Sequence, residues 1–271
     1  MNGIAAVFSQ LFDIVVSLGG GSASLAMLLV SAVTAVWVLL LFKAVTPQAK
    51  LQATRDRLFG HIYEMGMYQD HLGVVGRIQR DLARANFRYL GLTLPALLAL
   101  TIPMVITLAQ LDSRFKHRPL EPGETTVLSV TAADDADLAG LDLVVPEGVL
   151  IEAGPVRDRL GGSMAWRLGV VDPGEHELSL ERGGATVATR TLEAGGGLAR
   201  VSEKSDTGFL SPWLAPGAQP LGGDSGLVSV TLRYPDRTTR YLGIELDWLL
   251  AFLILSLVAG LALKDFLKVS I

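Results

Sequence analysis

Cysteine is absent from this sequence, and so are the short motifs that mark common catalytic sites. Without cysteine, disulfides, thiolate metal sites, iron–sulfur clusters and thiol nucleophiles are excluded. There is no GxSxG motif, phosphate-binding loop, HExxH pair or recognisable Ser/His/Asp or carboxylate constellation. His61 and Glu64 lie three residues apart, with Asp70 and His71 nearby, but polar helix faces often carry such residues. We therefore expect no enzyme, no cofactor and no metal site.

Charged side chains are also missing from three apolar segments, Ser22–Phe42, Leu90–Leu111 and Trp248–Leu263. A helix of about 20 apolar residues is about 30 Å long, which matches the hydrocarbon core of a bilayer. Soluble proteins rarely bury helices that are apolar on every side. The third segment is the shortest, lying between Asp247 and Lys264, and a buried helix of a soluble protein is its alternative interpretation. The sequence predicts three transmembrane helices, at residues 22–42, 90–111 and 246–264.

Lysine and arginine are absent from the first 24 residues and are concentrated between the first two apolar segments. Positively charged loops remain in the cytoplasm. The sequence therefore predicts a protein of the cytoplasmic (inner) membrane, with the N-terminus and residues 112–245 outside and residues 43–89 and the tail 265–271 inside. The basic loop suits anionic lipid headgroups. Nucleic acid is not an expected partner, because no aromatic stacking motif or set of zinc ligands accompanies the charge.

The N-terminal residues 1–21 show a helical apolar pattern without a basic segment. Apolar residues recur at Ile4, Val7, Leu11 and Ile14, with Asp13 on the other side. This pattern predicts an amphipathic helix on the outer membrane surface. The alternative is an apolar N-terminus that packs on the outer domain. A cleaved signal peptide is not expected, because the basic start of such a peptide is missing.

The basic loop at residues 43–89 has the pattern of a two-helix hairpin. Thr46 is a candidate N-cap with Pro47 in the first turn, and Asp70 is a candidate cap for the second helix. The apolar stripes are Leu51, Leu58, Ile62 and Met65 on the first helix, and Val75, Ile78, Leu82, Ala85 and Tyr89 on the second. We expect the second helix to continue into the second span. The candidate contact residues at the tip are Met65, Met67 and Tyr68, because methionine adapts to varied apolar surfaces; alternatively, they only close the hairpin.

Residues 112–245 alternate between short apolar strands and turns rich in glycine and proline. This spacing predicts an immunoglobulin-like β-sandwich outside the cell membrane, a periplasmic domain. Ser205–Ser225 reads as a long loop. Its apolar residues are a candidate contact with an outer partner or with the membrane, or they cap the sandwich. They are Phe209, Leu210, Trp213 and Leu214.

Hydroxyl side chains occur inside the predicted spans. The candidate lining of an intramembrane groove consists of Ser31, Thr34, Thr93 and Thr107. The third span adds Ser256 and Gly260, a pair of small residues four apart. Such residues also favour simple helix–helix packing. The sequence therefore leaves two interpretations, a groove that receives another protein's helix and a packing seam.

The order of these elements resembles that of the YidC/Oxa-type membrane insertase superfamily, in particular its three-span members. The resemblance covers residues 1–111 and 246–271, and it lies in the topology and in the hairpin Pro47–Arg88. Members of that superfamily help membrane proteins to enter or assemble in the bilayer. They use a hydrophilic groove open to the cytoplasm and a mobile hairpin that meets the substrate. The resemblance implies an insertase-like function with other membrane proteins as partners.

Two departures from that pattern favour a second hypothesis. Bacterial insertases typically place an arginine in the groove, and no predicted span contains one. The outer domain lies between the second and third spans, where short relatives have only a brief loop. The second hypothesis is a structural or accessory subunit of a larger membrane complex, such as a respiratory or photosynthetic one. Both share one expected fold class: an α+β membrane protein with three transmembrane helices, a cytoplasmic hairpin and an extracytoplasmic immunoglobulin-like β-sandwich.

Overall fold

The structure is a computed structural model that describes residues 2–68, 71–134, 138–208, 210–241 and 243–269. It divides into two compact units. The β-unit comprises residues 1–27 and 106–251, and the helix unit comprises residues 28–105 and 252–271.

Apart from the four-residue α5, the α-helices occupy both ends of the chain, and the strands lie between them. The helices are α1 (Asn2–Ser17), α2 (Ala23–Val45), α3 (Gln48–Met67), α4 (Leu72–Phe115), α5 (Ser211–Leu214) and α6 (Trp248–Leu263). The strands are β1 (Thr125–Ala132), β2 (Leu141–Val144), β3 (Val149–Asp158), β4 (Ser163–Val170), β5 (Gly174–Arg182), β6 (Ala185–Ala194), β7 (Lys204–Asp206), β8 (Leu227–Leu232), β9 (Thr239–Tyr241) and β10 (Ile244–Leu246). Because helices and antiparallel strands are segregated along the chain, the fold is α+β.

In the helix unit, α3 and α4 each bury one side. On α4 the buried or half-buried side includes the predicted stripe, Val75, Ile78, Leu82, Ala85 and Tyr89. On α3 that side runs through Leu51, Thr54, Leu58, His61 and Met65. Ile62 is exposed, so its placement in the stripe was wrong. Spacings of three and of four residues both fit a helix of 3.6 residues per turn, and the structure takes His61 inward instead.

The start of α3 also differs from the prediction by one residue. Pro47 occupies the N-cap position and no side chain caps the helix. The hydroxyl of Thr46 is buried and has no hydrogen-bond partner in the described part of the chain. Proline fixes its own φ, here −72°, so backbone geometry alone starts this helix. The other predicted cap, Asp70, lies outside the described residues.

Helix α4 runs without interruption from the basic segment through the second apolar segment. It contains 44 residues, with Pro95 and Pro103 inside it. Proline removes a backbone donor, which membrane helices tolerate because hydroxyl side chains and neighbouring helices compensate. Thr93 and Thr101 each donate a hydrogen bond to a carbonyl one turn earlier in the same helix.

Two helices, α2 and α4, are long and apolar enough to cross a membrane. Only 39% of the most apolar stretch of α2 and 22% of that of α4 is buried. The core helix of a soluble protein buries most of its apolar residues, so these fractions favour membrane association. Helix α6 is equally apolar but has only 16 residues, which is shorter than a typical span.

Two antiparallel sheets form the body of the β-unit. One contains five strands in the order β3-β4-β1-β8-β7, the other contains three in the order β2-β5-β6, and β9 and β10 form a separate ribbon. Side chains of successive strand residues point to opposite faces of a sheet. In β1 and β2 burial alternates accordingly, with every second residue buried. Each sheet thus obtains one apolar face from the alternation that the sequence shows.

The two sheets share a single hydrophobic core. Its fully buried members include Leu128 and Val130 of β1, Leu168 of β4, Leu178 and Leu180 of β5, Leu192 of β6 and Leu232 of β8. Packing of two antiparallel sheets over a common core is the arrangement of a β-sandwich. Apolar burial therefore stabilises this domain, which the absence of cysteine had required.

The strand order differs from that of an immunoglobulin constant domain, whose sheets pair as ABED and CFG. Here β1 lies between β4 and β8. The coarser prediction, two sheets of short antiparallel strands, describes what the structure contains. The predicted long loop at residues 205–225 holds most of β7 and all of α5, and the β9–β10 ribbon was not predicted. Each of these four elements has only three or four residues, too few to show periodicity.

Arg190 connects the two sheets from inside. Its guanidinium is buried and donates hydrogen bonds to the hydroxyl of Ser205 and the carbonyl of Ser202. Arg190 lies on β6 of the smaller sheet, and Ser205 lies on β7 of the larger. Burial lowers the pKa of this arginine. A charged group inside the domain thus holds the edge strand β7, which is too short to be stable alone.

The shared core predicts that residues 117–241 fold without the helices. We expect this segment to unfold cooperatively in urea, monitored by circular dichroism. Leu180 is fully buried, so Leu180→Ala is expected to lower the free energy of unfolding by about 2–5 kcal/mol. Leu150→Ala, at an exposed position, is the matched control and should change it by about 0.5 kcal/mol or less. A segment without a cooperative transition would contradict the assignment.

Candidate functional site

The helix unit contains an apolar groove bounded by α2, α4 and α6. Its volume is about 460 Å³. The lining includes Thr34, Ala35, Met104, Ser256, Leu257 and Gly260. The hydroxyl of Ser256 donates to the carbonyl of Leu253, which leaves little free polarity in the groove. Small side chains on facing helices are what allows another helix to approach closely.

Of the four polar residues predicted to line a groove, the structure brings only Thr34 to it. Ser31 is fully buried, and its hydroxyl has no hydrogen-bond partner among the described residues. Thr93 is buried and bonded within its own helix. Thr107 is buried in the other unit. Ser256 and Gly260, the small pair of the third apolar segment, also line the groove, although the predicted set of four residues did not include them.

The groove has room at Gly260. A Cβ atom placed there would meet no other atom within 4 Å, apart from its own helix and neighbours. Gly91 of α4 is equally open but is not part of the lining. These two helical glycines therefore provide a test position and a matched control.

The predicted contact residues at the end of α3 are accessible. Met67 and Tyr68 are exposed, whereas Met65 is half-buried. Phe59 and Tyr63 on the same helix are exposed as well. The end of α3 thus presents apolar and aromatic side chains without a partner in the described part of the chain.

The residues predicted to contact an outer partner differ in their surroundings. Trp213 of α5 packs against Phe8 of α1, with ring centroids 6.4 Å apart, so it serves the chain's own packing. Leu210 and Leu214 remain exposed. Phe209 lies outside the described residues.

A buried charge pair in the β-unit was not expected from the sequence. Arg114, in the last turn of α4, is fully buried and binds Asp13 of α1 at 2.6 Å. Its other donors bond the backbone carbonyl of Ser9 at 3.1 Å and the side-chain oxygen of Gln110 at 2.7 Å. Gln110 in turn donates to the hydroxyl of Ser9 at 2.9 Å. Every nitrogen of the guanidinium therefore has an acceptor, which offsets the cost of burying the charge.

We term the cluster of Ser9, Phe12, Asp13, Gln110 and Arg114 the Arg114 clamp. Phe12 and the neighbouring Arg200 make two further contacts with it. The guanidinium lies 5.8 Å from the ring centroid of Phe12, within the range of a cation–π interaction. Arg200, just before the strand β7, approaches the second carboxylate oxygen of Asp13 to 3.6 Å. The sequence signal was weak. It consisted of a lone acid in an apolar helix and an arginine three residues after an apolar segment.

A polar cavity of about 430 Å³ adjoins this cluster. It is lined in part by Asp13, Glu175, Glu193, Arg200 and Gln219. Glu175 and Glu193 are directly opposite each other on β5 and β6. Burial, followed by repulsion from Glu175, raises the pKa of Glu193 to about 6, while attraction to Arg200 and His176 opposes this shift. Within the described residues no three acidic or histidine side chains converge as metal ligands.

Comparisons of the chain with protein-family profiles, curated proteins and solved structures find no match. The resemblance to the YidC/Oxa-type superfamily therefore remains a prediction from the sequence.

The Arg114 clamp predicts that α1 detaches when the guanidinium is lost. Val16 of α1 is buried, and a single cysteine there, in this cysteine-free chain, reports on docking. Arg114→Gln is expected to destabilise the docked state by roughly 2–3 kcal/mol, below the range for a fully buried pair because Asp13 is partly exposed. Maleimide labelling of the cysteine should accelerate about tenfold or more.

Two control variants sharpen this test. Arg114→Lys should not restore protection, because an ammonium cannot reproduce the planar set of donors. Lys116→Gln removes an exposed ion pair two residues away and should leave labelling unchanged. A cysteine at position 16 that stays protected in Arg114→Gln would show that apolar packing alone docks α1.

Glu193 predicts a pH-dependent stability. Between pH 4.5 and about 6 the folded protein holds a proton that the unfolded carboxyl has lost, so the free energy of unfolding falls as pH rises through this range. Above about pH 6 the free energy of unfolding stays at this lower value. Glu193→Gln removes the ionised group, so it should raise the melting temperature at about pH 7.5 and not at about pH 4.5. Equal changes at both pH values, measured by thermal unfolding in detergent, would contradict this assignment.

Proposed function

We propose that this chain is an integral protein of the cytoplasmic membrane that assists the insertion or assembly of other membrane proteins. Its working part is the apolar groove between α2, α4 and α6, which offers a lateral surface to an apolar helix of a client protein. The groove is the observation that carries this proposal.

The proposed topology has three spans, with the N-terminus outside. It is supported by two sets of contacts inside the chain. Within the β-unit, Arg114 at the end of α4 binds α1, which precedes α2. Within the helix unit, the ammonium of Lys43 near the end of α2 donates to the carbonyl of Leu267 in the C-terminal tail. Both agree with an alternation in which α2, α4 and α6 each cross once.

The basic segment supports the side on which the hairpin lies. Arg80 and Arg84 of α4 are exposed, and positive charge stays in the cytoplasm. There it meets anionic headgroups. The exposed residues Phe59, Tyr63 and Met67 of α3 are suited to a first contact with an apolar client segment.

The chemistry of the groove indicates its client. Its lining is almost entirely apolar, and none of the lining residues carries a charge. The groove therefore differs from the hydrophilic, arginine-containing groove of bacterial insertases. Van der Waals packing against Gly260, Ser256 and Ala35 would favour an uncharged helix with small residues on one face.

The second candidate is a structural subunit of a larger membrane complex. The observation that favours it is the large β-domain with its own core and the exposed side chains of Leu210 and Leu214, which would contact a partner's outer region. Purification in mild detergent separates the candidates. A complex of fixed stoichiometry supports the subunit, whereas a mixture of transient clients supports the biogenesis factor.

Filling the groove tests the proposed function. Gly260→Leu adds a side chain to the open space of the lining, and Gly91→Leu adds the same side chain outside it. A photoreactive residue at Leu257 of each variant, reconstituted in liposomes, would be offered a single-span client of leucine and alanine made in a cell-free system. Gly260→Leu should reduce cross-linking and insertion about tenfold, while Gly91→Leu should not.

Equal cross-linking and insertion in the two variants would show that the groove does not receive the client. If Gly91→Leu also abolished cross-linking and insertion, the cause would be a disturbed fold rather than a filled groove. Thermal unfolding of each variant would reveal this.

A further inference from the structure

A helix that packs on a soluble domain usually buries its apolar face and exposes its polar face. The helix α1 has the reverse arrangement. Its buried face carries Ser9 and Val16, beside the clamp residue Asp13. On the opposite face lie Val7, Leu11, Ile14 and Leu18, at a spacing of four, three and four residues. These four side chains are 56%, 56%, 59% and 72% exposed. A surface in water would carry its polar side chains outside and its apolar ones inside.

The exposed stripe, Val7, Leu11, Ile14 and Leu18, is uncharged. Asp13 is the only charged side chain within α1, and Arg114 and Arg200 engage it. Gln10 and Ser17 are exposed at one border of the stripe. An apolar face bordered by uncharged polar residues suits the boundary between acyl chains and headgroups, where interfacial helices bury their apolar side by about 5–10 Å.

The chain also fixes how far α1 can lie from the bilayer. Residues Leu18 to Ser22 are the only connection to α2, and they form a tight turn with backbone hydrogen bonds to Ile14, Val16 and Ser17. A Cβ atom at Gly19 would come within 2.7 Å of the backbone nitrogen of Ala26. The first turn of α2 thus packs on this turn without space for a side chain. Gly20 and Gly21 have φ values of 60° and 82°, which glycine adopts without strain.

The Arg114 clamp adds a second fixed point, because Arg114 lies in the last turn of α4, three residues after the apolar segment that ends at Leu111. The helix α1 is therefore held at the beginning of one membrane-crossing helix and at the end of another. Both points mark the same membrane boundary. A partner protein or a second copy would have to reach the stripe at that boundary, where lipid is already present.

We propose that α1 lies in the membrane interface on the side of the β-domain, with its exposed stripe among the acyl chains. The Arg114 clamp and the contact of Phe8 with Trp213 fasten the β-domain to this helix, so that the domain is anchored at the bilayer surface. The binding is apolar and needs no anionic lipid. It requires that the chain lies in a membrane, and it is independent of whether the groove receives clients.

Lipid-borne and aqueous quenchers test this position in the full chain. Single cysteines at Leu11 and Ile14, and a control at Leu160 in the exposed turn between β3 and β4, carry the fluorophore NBD in nanodiscs of phosphatidylcholine. Phosphatidylcholine with a nitroxide at carbon 5 should lower the fluorescence at positions 11 and 14 about twofold or more, with little effect of iodide. At position 160 the order of the two quenchers should be reversed.

Two results would overturn the proposal. Quenching by iodide at positions 11 and 14 as strong as at 160 would place the stripe in water. Protection from both quenchers would show that protein covers the stripe, and a cross-linked dimer through the cysteine at position 11 would identify a second copy. Because all three labels occupy exposed positions, the fold is retained, and circular dichroism of each labelled protein verifies this.

Discussion

The apolar side chains that α1, α2, α4 and α6 expose are the constraint from which the other features of this chain follow. In water such surfaces would be covered by further protein or would aggregate. Only 39% and 22% of the most apolar stretches of α2 and α4 is buried, and the only charged side chain of α1 binds the buried Arg114. Acyl chains are the environment in which these faces and the saturated backbone of long helices are stable. In the proposed membrane topology, the division into an apolar helical part and a β-domain with its own core follows from the two solvents.

Within the β-unit, the buried Arg114 joins the end of α4 to α1. Arg114 lies in the last turn of α4, shortly after the apolar segment, and it has acceptors on α1 and on its own helix. Arg190 has a similar role inside the β-domain, where it bonds the chain around β7. Every guanidinium nitrogen of Arg114 has an acceptor, whereas Arg190 donates through its two terminal nitrogens and its Nε has no partner among the described residues.

The sequence predicted the features that depend on periodicity and length. The seven longer strands, the stripe on α4 and its continuation into the apolar segment all follow from regular spacing. The features that the sequence did not predict depend on particular contacts. Ile62 and His61 fit the helical period equally well, and only packing chose between them. The Arg114 clamp joins residues 101 positions apart in the sequence. Of the four predicted groove residues only Thr34 lines the groove, because the lining depends on how the helices pack in three dimensions. Strands of three residues carry no pattern to read.

The side of the membrane on which each part lies is the central claim, and it can be measured directly in a chain without cysteine. Single cysteines at Leu160 and Met67, both exposed, would be treated with an impermeant maleimide in intact cells and again after permeabilisation. Position 160 is expected to be labelled in intact cells, and position 67 only after permeabilisation. Labelling of both positions in intact cells, or of neither, would contradict a chain that carries its β-domain and its basic hairpin on opposite sides of the membrane.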